Sequence, residues 1–124
     1  MSEQPEKSVF SRIVDREIPA DIVAETDRVI AFRDISPQAP VHVLVVPKTA
    51  EYRDVAALAA GDPGLLAELV GLAQEISDRE CGGEHRLIFN TGARGGQTVF
   101  HVHGHLLGAP EGEALEEGTL AQQH

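Results

Sequence analysis

The sequence from 99 to 107 is Val99-Phe100-His101-Val102-His103-Gly104-His105-Leu106-Leu107. Histidine alternates with apolar residues, and glycines flank the run at 95–96 and 108, a pattern typical of a β-strand. Successive side chains of a strand point to opposite faces, so the three histidines would share one face. Phe100, Val102 and Leu106 would then pack on the other face. A row of imidazoles indicates a functional site, because neutral imidazole is a nucleophile, an acid–base group and a metal ligand near neutral pH.

The segments before this strand predict further helices and strands. A short helix is expected over 9–17, and a long one from an N-cap at Asp62, with Pro63 first, to the glycines at 82–83. A hairpin turning at 26–28 and strands over 41–46 and 86–90 complete the pattern. We therefore expect an α+β fold, a mostly antiparallel sheet with helices on one face.

Composition limits the possible functions. A chain of 124 residues, 42% of them apolar, predicts one domain with a real core. A net charge of −10, from 20 acids and 10 bases, would repel a polyanion, so we expect no nucleic-acid partner. No apolar stretch approaches the roughly 20 residues of a membrane helix, and the polar N-terminus does not resemble a signal peptide. With Cys81 as a lone, packed thiol, these features predict a cytoplasmic protein with no membrane association.

The chain divides into three predicted segments: a disordered leader over 1–8, a globular domain over 9–108 and an acidic, flexible tail over 109–124. His42 is the only other histidine in a predicted core element. His85 and His124 are expected to face solvent.

Three chemistries could use the row of histidines. A metal could bridge neighbouring imidazoles, but His101 and His105 would lie roughly 13 Å apart at Cα on a flat strand, too far to share one ion easily. A structural ladder of buried imidazoles would cost desolvation that an apolar strand avoids. In nucleophilic catalysis, the central imidazole attacks phosphorus while its neighbours fix its tautomer and donate to phosphate oxygens.

The stretch over 101–107 matches the His-φ-His-φ-His-φ-φ signature, φ being apolar, and the chain therefore resembles the histidine triad family. Within that family it looks like a Hint-type nucleoside phosphoramidase. Further matches follow in family order: Ile18-Pro19-Ala20, residues 31–40, His42, Val46-Pro47-Lys48, Asn90-Thr91-Gly92 and residues 95–99.

The resemblance implies a role for each matched residue. His103 would be the nucleophile, transiently nucleotidylated, and Thr98 would assist the leaving group. Asp34, followed by Ile35, would bind the ribose hydroxyls. The histidines that would orient His103 and bind phosphate charge are His42, His101 and His105. The residues that would line the phosphate are Asn90, Gly96 and Gln97. The apolar wall around the base would be formed by Phe10, Ile13, Ile18, Ile22 and Phe32.

The resemblance also implies the histidine triad fold: an antiparallel sheet of about five strands, a long helix and a short N-terminal helix. A homodimer would hydrolyse the P–N bond of purine nucleoside 5′-phosphoramidates with neither cofactor nor metal. Two alternatives stay open. The first is a dinucleoside polyphosphate hydrolase or nucleotidyltransferase of the same family, although Gly108 stands where the Fhit-like branch tends to have proline. The second is a nucleotide- or partner-binding scaffold with vestigial catalysis, although a pure binder would not need His103, Thr98 and Asn90 together.

Two positions depart from the family pattern. Gly104 stands where a bulky apolar residue is common, on the face opposite the histidines, and we expect it to weaken local strand packing. The acidic tail after Gly108 replaces a segment that in Hint proteins often lies near the partner subunit's site. The leaving-group preference therefore does not follow from the family.

Overall fold

The structure, a computed structural model, describes residues 7–116. The predictions for residues 1–6, for residues 117–124 of the tail and for His124 lie outside the described residues. The elements are α1 (Val9–Val14), β1 (Ile22–Glu25), β2 (Val29–Arg33), β3 (Val41–Pro47), α2 (Val55–Gly61), α3 (Pro63–Glu80), β4 (Arg86–Ile88), a 3₁₀ turn (Ala93–Gly95) and β5 (Gly104–Gly108).

The five strands form one sheet in the order β1-β2-β3-β5-β4, and every neighbouring pair is antiparallel. The predicted hairpin joins β1 to β2, where the Thr26 amide donates to the Val29 carbonyl at 2.8 Å. At the centre of the sheet, Leu44 of β3 lies opposite His105 of β5, and His42 lies opposite Leu107. The α+β class and the five-stranded antiparallel sheet are confirmed.

Helices cover both faces of the sheet, so the expectation of helices on one face is wrong. α3 packs on one face, against β-strand residues such as Val29, Val43 and Leu106. α1 packs on the other face, where Phe10 and Ile13 form a second cluster. The physical reason is that β3 is buried along its whole length and β2 along nearly all of its length. A strand that is apolar on both sides needs cover on both sides.

The helix ends follow the expected capping chemistry, with one helix unpredicted. The Asp62 side chain accepts from the Leu65 amide at 3.0 Å, and Pro63 opens α3, as predicted. α1 is shorter than the predicted span, and Arg16, just beyond it, has a left-handed φ of 61°. α2 was not predicted. Asp54 caps it by accepting from the Ala57 amide at 2.8 Å.

The strand predicted from residue 99 begins only at Gly104. Residues 98–103 lack the continuous ladder that defines a strand. Val102 and Leu106 are buried as expected, but Phe100 is 44% exposed. The Arg53 guanidinium lies 4.9 Å from the centroid of the Phe100 ring, a cation–π contact. The prediction that Phe100 packs into the core is therefore wrong.

Gly104 does not leave the sheet loosely packed, contrary to the expectation. A Cβ at this position would lie 3.0 Å from Leu87 Cδ1 and 3.1 Å from two ring carbons of Phe89. These two side chains fill the volume that a bulky residue at 104 would occupy. The missing side chain is therefore replaced by neighbours from β4 and the segment that follows it.

Cys81 and His85 lie outside the row of histidines. Cys81 is buried against Gly108, and burial raises the pKa of its thiol, as expected for a packed cysteine. His85 is only half-exposed, because its Nδ1 lies 2.7 Å from the hydroxyl of the buried Ser77, so its expected solvent-facing position is only partly correct. Between residues 7 and 116, every helix is too short or too polar to cross a membrane.

Candidate active site

Four histidine rings form a line on the α1 face of the sheet. His101, His103 and His105 come from one segment, and His42 from the neighbouring strand β3. The ring centroids are 5.2 Å apart between His103 and His105, and 5.3 Å apart between His105 and His42. All four side chains are buried. The predicted row of imidazoles is therefore present, and His42 extends it, although His101 and His103 precede the strand.

The backbone fixes the tautomer of His103. Its Nδ1 lies 2.7 Å from the main-chain oxygen of His101. A carbonyl oxygen can only accept, so Nδ1 carries the hydrogen and the neutral ring has its lone pair on Nε2. The Phe10 ring meets the His103 ring edge-on at 4.7 Å and limits its rotation. In its neutral form the central imidazole therefore has the lone pair on Nε2, the form that a nucleophile requires.

A second chain of hydrogen bonds sets the protonation of His42 and His105. The Gln38 amide donates to His42 Nδ1 at 3.0 Å, so the hydrogen of a neutral His42 is on Nε2. That Nε2 lies 3.0 Å from His105 Nδ1 and 3.4 Å from the buried carboxylate of Asp34. The second Asp34 oxygen accepts from the Ser36 amide at 2.8 Å. His105 thus accepts at Nδ1 and carries its own hydrogen on Nε2, a donor suited to a phosphate oxygen.

His101 is held at both of its ring nitrogens. Nε2 lies 2.7 Å from the Pro47 carbonyl oxygen and must carry the hydrogen, while Nδ1 lies 2.9 Å from the Ser8 hydroxyl. Burial lowers the pKa of His101, partly opposed by main-chain hydrogen bonds at Pro47 and Thr49. His101 is therefore a neutral, immobilised ring.

The site offers one group that could reach a metal, formed by Asp34, His42 and His105. One ligand atom from each lies within 4.8 Å of the others. However, the Gln38 amide occupies the Nδ1 lone pair of His42, so its Nε2 is protonated. Metal ligation there would require an imidazolate, which is costly beside a carboxylate. The donor set fits a hydrogen-bonded relay better than a metal site.

The glycine loop before the histidines is organised by Gln97. Gly92 and Gly96 adopt left-handed φ values of 77° and 96°, which favour glycine. Buried Gln97 donates to the main-chain oxygens of Arg53 and Val99 at 2.6 and 3.1 Å, and accepts from the Gly92 amide at 2.9 Å. Both of its amide hydrogens are engaged, so its side chain shapes the loop and is not a free phosphate donor. The expected place of Gln97 beside the phosphate stays a prediction.

Two further residues with expected roles lie in or beside this loop. The Asn90 side chain lies against Gly96, since a Cβ at 96 would be 3.7 Å from Asn90 Cγ. Thr98 is exposed at the end of the loop, three residues before His101.

The residues expected around the nucleoside fall into three groups. Phe10 and Phe32 are core residues of the α1 face, with ring centroids 5.7 Å apart. Ile35 beside buried Asp34 is 95% exposed. The third group consists of Ile13, Ile18 and Ile22. These side chains line a surface cavity of about 360 Å³, together with residues 16–17 and 19–20.

Sequence reasoning missed the groups that orient the histidines. The Pro47 and His101 carbonyls and the Gln38 amide are main-chain groups, which a residue pattern does not mark. Ser8 was also missed, although a serine before a helical segment is a recognisable N-cap signal. Ser8 indeed caps α1, and its hydroxyl also contacts His101.

Comparison with known proteins identifies the family. The HIT domain family model matches residues 15–112. The purine nucleoside phosphoramidase of Escherichia coli is 46% identical over 118 residues, which cover 93% of this chain and 98% of that protein. An uncharacterized HIT-like protein of Synechocystis is 48% identical over 104 residues, covering 83% and 90% of the two chains.

Solved structures give the same result. A HIT family hydrolase from Clostridium thermocellum superposes with a TM-score of 0.79 at 40% identity, covering 86% of this chain and 93% of that one. A HIT family hydrolase from Legionella pneumophila gives 0.80 at 37% identity, covering 92% and 100%. This chain belongs to the HIT domain family, the histidine triad family that its sequence resembles.

Proposed function

We propose that this protein hydrolyses the P–N bond of purine nucleoside 5′-phosphoramidates through a nucleotidyl-His103 intermediate. The observation that carries the proposal is the 2.7 Å contact between His103 Nδ1 and the His101 carbonyl oxygen, which in the neutral ring leaves the lone pair on Nε2. The 46% identity to an E. coli purine nucleoside phosphoramidase supports the substrate class. We assign a nucleoside monophosphate and an amine as products.

In the first step, His103 Nε2 attacks phosphorus and the P–N bond breaks. The leaving nitrogen takes a proton, which we assign to a relay through the exposed Thr98 hydroxyl from solvent. The new P–Nε2 bond makes the imidazole cationic, and its Nδ1–H bond to the His101 carbonyl stabilises that charge. In the second step water attacks phosphorus and releases a proton to solvent, Nε2 leaves with its electron pair, and nucleoside monophosphate is released. Two easier displacements replace one difficult displacement.

The neighbouring groups would bind the charge and the nucleoside. The His105 Nε2–H, set by the relay from Gln38 through His42, would donate to a non-bridging phosphoryl oxygen. Asn90 and the glycine loop would bind the opposite side of the phosphate. Asp34 would accept from the ribose hydroxyls. The apolar residues Ile13, Ile18 and Ile22 would contact the base.

We also propose that the protein is a cytoplasmic homodimer and that adenosine phosphoramidates yield AMP. The short strand β4 lies at an edge of the sheet, a position at which pairing with another chain can extend a sheet. Light scattering on the purified protein tests the dimer, and a mass of one chain would contradict it.

A substrate panel tests the activity. Wild type, His103→Ala and the matched control His85→Ala are compared on adenosine 5′-phosphoramidate, dinucleoside polyphosphates and nucleotide sugars, with circular dichroism to verify folding. We expect the phosphoramidate to be the best substrate, His103→Ala to be inactive and His85→Ala to resemble wild type. A folded His103→Ala variant within about tenfold of wild type, or roughly 1.4 kcal/mol of barrier, would refute the nucleophile. A strong preference for dinucleoside polyphosphates would instead favour the related hydrolase.

A further inference from the structure

The segment that carries the nucleophile is not held by the sheet. β5 begins at Gly104, where it pairs with Val45, and β4 ends at Ile88. Within 101–103, the Val102 amide donates to the Tyr52 carbonyl at 3.0 Å. The Val102 amide shares its planar peptide with the His101 carbonyl that orients His103, so this carbonyl is held by the Tyr52 bond together with the contacts that fix the His101 side chain.

Two groups from different elements fix the His101 ring. The Pro47 carbonyl at the end of β3 accepts from Nε2, and the Ser8 hydroxyl lies 2.9 Å from Nδ1. Because Nε2 carries the hydrogen of the neutral ring, Nδ1 accepts and Ser8 donates. A ring bonded at both nitrogens cannot rotate without losing one of these bonds.

Ser8 can donate to His101 and cap α1 at the same time. Its oxygen accepts from the Ser11 amide at 3.0 Å, which leaves the hydroxyl hydrogen for an acceptor. The His101 nitrogen at 2.9 Å is closer than the Ser11 hydroxyl oxygen at 3.3 Å. The same helix carries Phe10, which contacts the rings of His103 and His101. One residue thus ties the start of α1 to the histidine segment.

The surroundings of His101 favour its neutral form. From α1 it meets the hydroxyls of Ser8 and Ser11, and from the end of β3 the main chain at Pro47 and Thr49. The charged neighbours of these residues are directed elsewhere: Lys7 pairs with Asp15 and Glu17, and Lys48 pairs with Glu25. On its own segment, His103 directs Nδ1 to the His101 carbonyl oxygen.

We infer that Ser8 is a positioning residue for the reaction: its hydroxyl donates to His101 Nδ1, immobilises residue 101 and so aims the carbonyl that holds His103 in its nucleophilic tautomer. The inference deepens the proposed function and rests on the role of His103 given there. Ser8 itself touches no reacting atom. Its loss should therefore lower kcat while leaving nucleotide binding nearly unchanged.

Four proteins test the inference: wild type, Ser8→Gly, Ser8→Thr and Ser11→Ala. Glycine is a good N-cap that lacks the hydroxyl, whereas threonine retains both cap and donor. Ser11 is the matched control, because its hydroxyl lies 3.4 Å from the same nitrogen. We expect Ser8→Gly to lower kcat about tenfold with KM within about twofold, and the other two variants to stay within about twofold of wild type. Wild-type kcat in Ser8→Gly, or equal losses in Ser8→Gly and Ser8→Thr, would overturn the inference.

A second measurement does not depend on activity or on the folding of any variant. Long-range ¹H–¹⁵N spectra of the wild-type imidazoles at neutral pH should show hydrogen on Nε2 of His101 and on Nδ1 of His103. A hydrogen on His101 Nδ1 would overturn the donor role of Ser8. If these spectra are as expected but the wild type does not hydrolyse phosphoramidates, the proposed function fails and the positioning contact stands.

Discussion

The packing around Gly104 can be tested by adding a side chain at this position of β5 and removing the side chain of Phe89, which occupies the adjacent space. A leucine at 104 would place its Cβ only 3.0–3.1 Å from Leu87 and Phe89, with its remaining atoms in the space of the Phe89 ring. Overpacking of this kind costs typically about 1–3 kcal/mol, so we expect Gly104→Leu to destabilise by about 2 kcal/mol. Phe89 is only partly buried, so Phe89→Ala should cost about 2 kcal/mol, less than the roughly 3–5 kcal/mol of a core phenylalanine.

The double variant should be more stable than the sum of the two changes predicts. With the ring removed, the introduced leucine fills the vacated volume, and we expect a total cost of about 1–2 kcal/mol instead of about 4. Urea unfolding followed by circular dichroism, at one fixed protein concentration, measures all four proteins. Additive costs within about 0.5 kcal/mol would refute the conclusion that Phe89 replaces the missing side chain.

Three further predictions concern metal, pH and the tail. Exhaustive chelation should leave activity unchanged, because the protonated Nε2 of His42 disfavours ligation; activity lost and then restored by zinc would contradict this. Because burial lowers the pKa of His101 below its unfolded value of about 6.5, the unfolded chain takes up a proton more readily below that pH, so the free energy of unfolding should fall as pH falls from about 6.5. Urea unfolding should show a smaller pH slope in His101→Gln, and equal slopes would contradict the assignment. Truncation after Pro110 should change the melting temperature little. At low salt it should raise activity on dinucleoside polyphosphates more than on phosphoramidates, because the removed glutamates repel anionic leaving groups. Added salt should reduce this difference, because it screens the repulsion. A large fall in melting temperature, or equal effects on both substrates, would contradict this prediction.

The row of histidines was readable from the sequence because alternation alone places His101, His103 and His105 on one side of an extended chain. The extent of the strand was not readable, because pairing depends on a partner strand. β4 ends at Ile88, and residues 99–103 lie outside the ladder, with the chain bending at residues 99 and 101. Phe100 consequently lies half-exposed beside Arg53 instead of in the core.

The helices were also only partly predictable from the sequence. The capping signal at Asp62 and the apolar period after it marked α3 correctly. α2 carries a similar signal, Asp54 before an alanine-rich run, but it has few large apolar residues from which to read a period. The face on which α1 packs depends on β2 and β3 being apolar on both sides.

The chemistry of the site depends on groups that a residue pattern does not show. The tautomer of His103 is set by a main-chain oxygen, that of His42 by the Gln38 amide and that of His101 by the Pro47 carbonyl. Side-chain identity predicts the four imidazoles. Only the folded backbone decides which nitrogen of each carries the hydrogen.

The most direct test of the account is to identify the covalent intermediate. Wild-type protein is mixed with adenosine 5′-phosphoramidate, quenched within one turnover and mapped by peptide mass spectrometry under conditions that preserve P–N bonds. We expect one nucleotidyl group on His103, formed at least as fast as the steady-state turnover and absent from His103→Ala. Turnover without any adduct, or a kinetically competent adduct on His101 or His105, would contradict the assignment of His103 as the nucleophile.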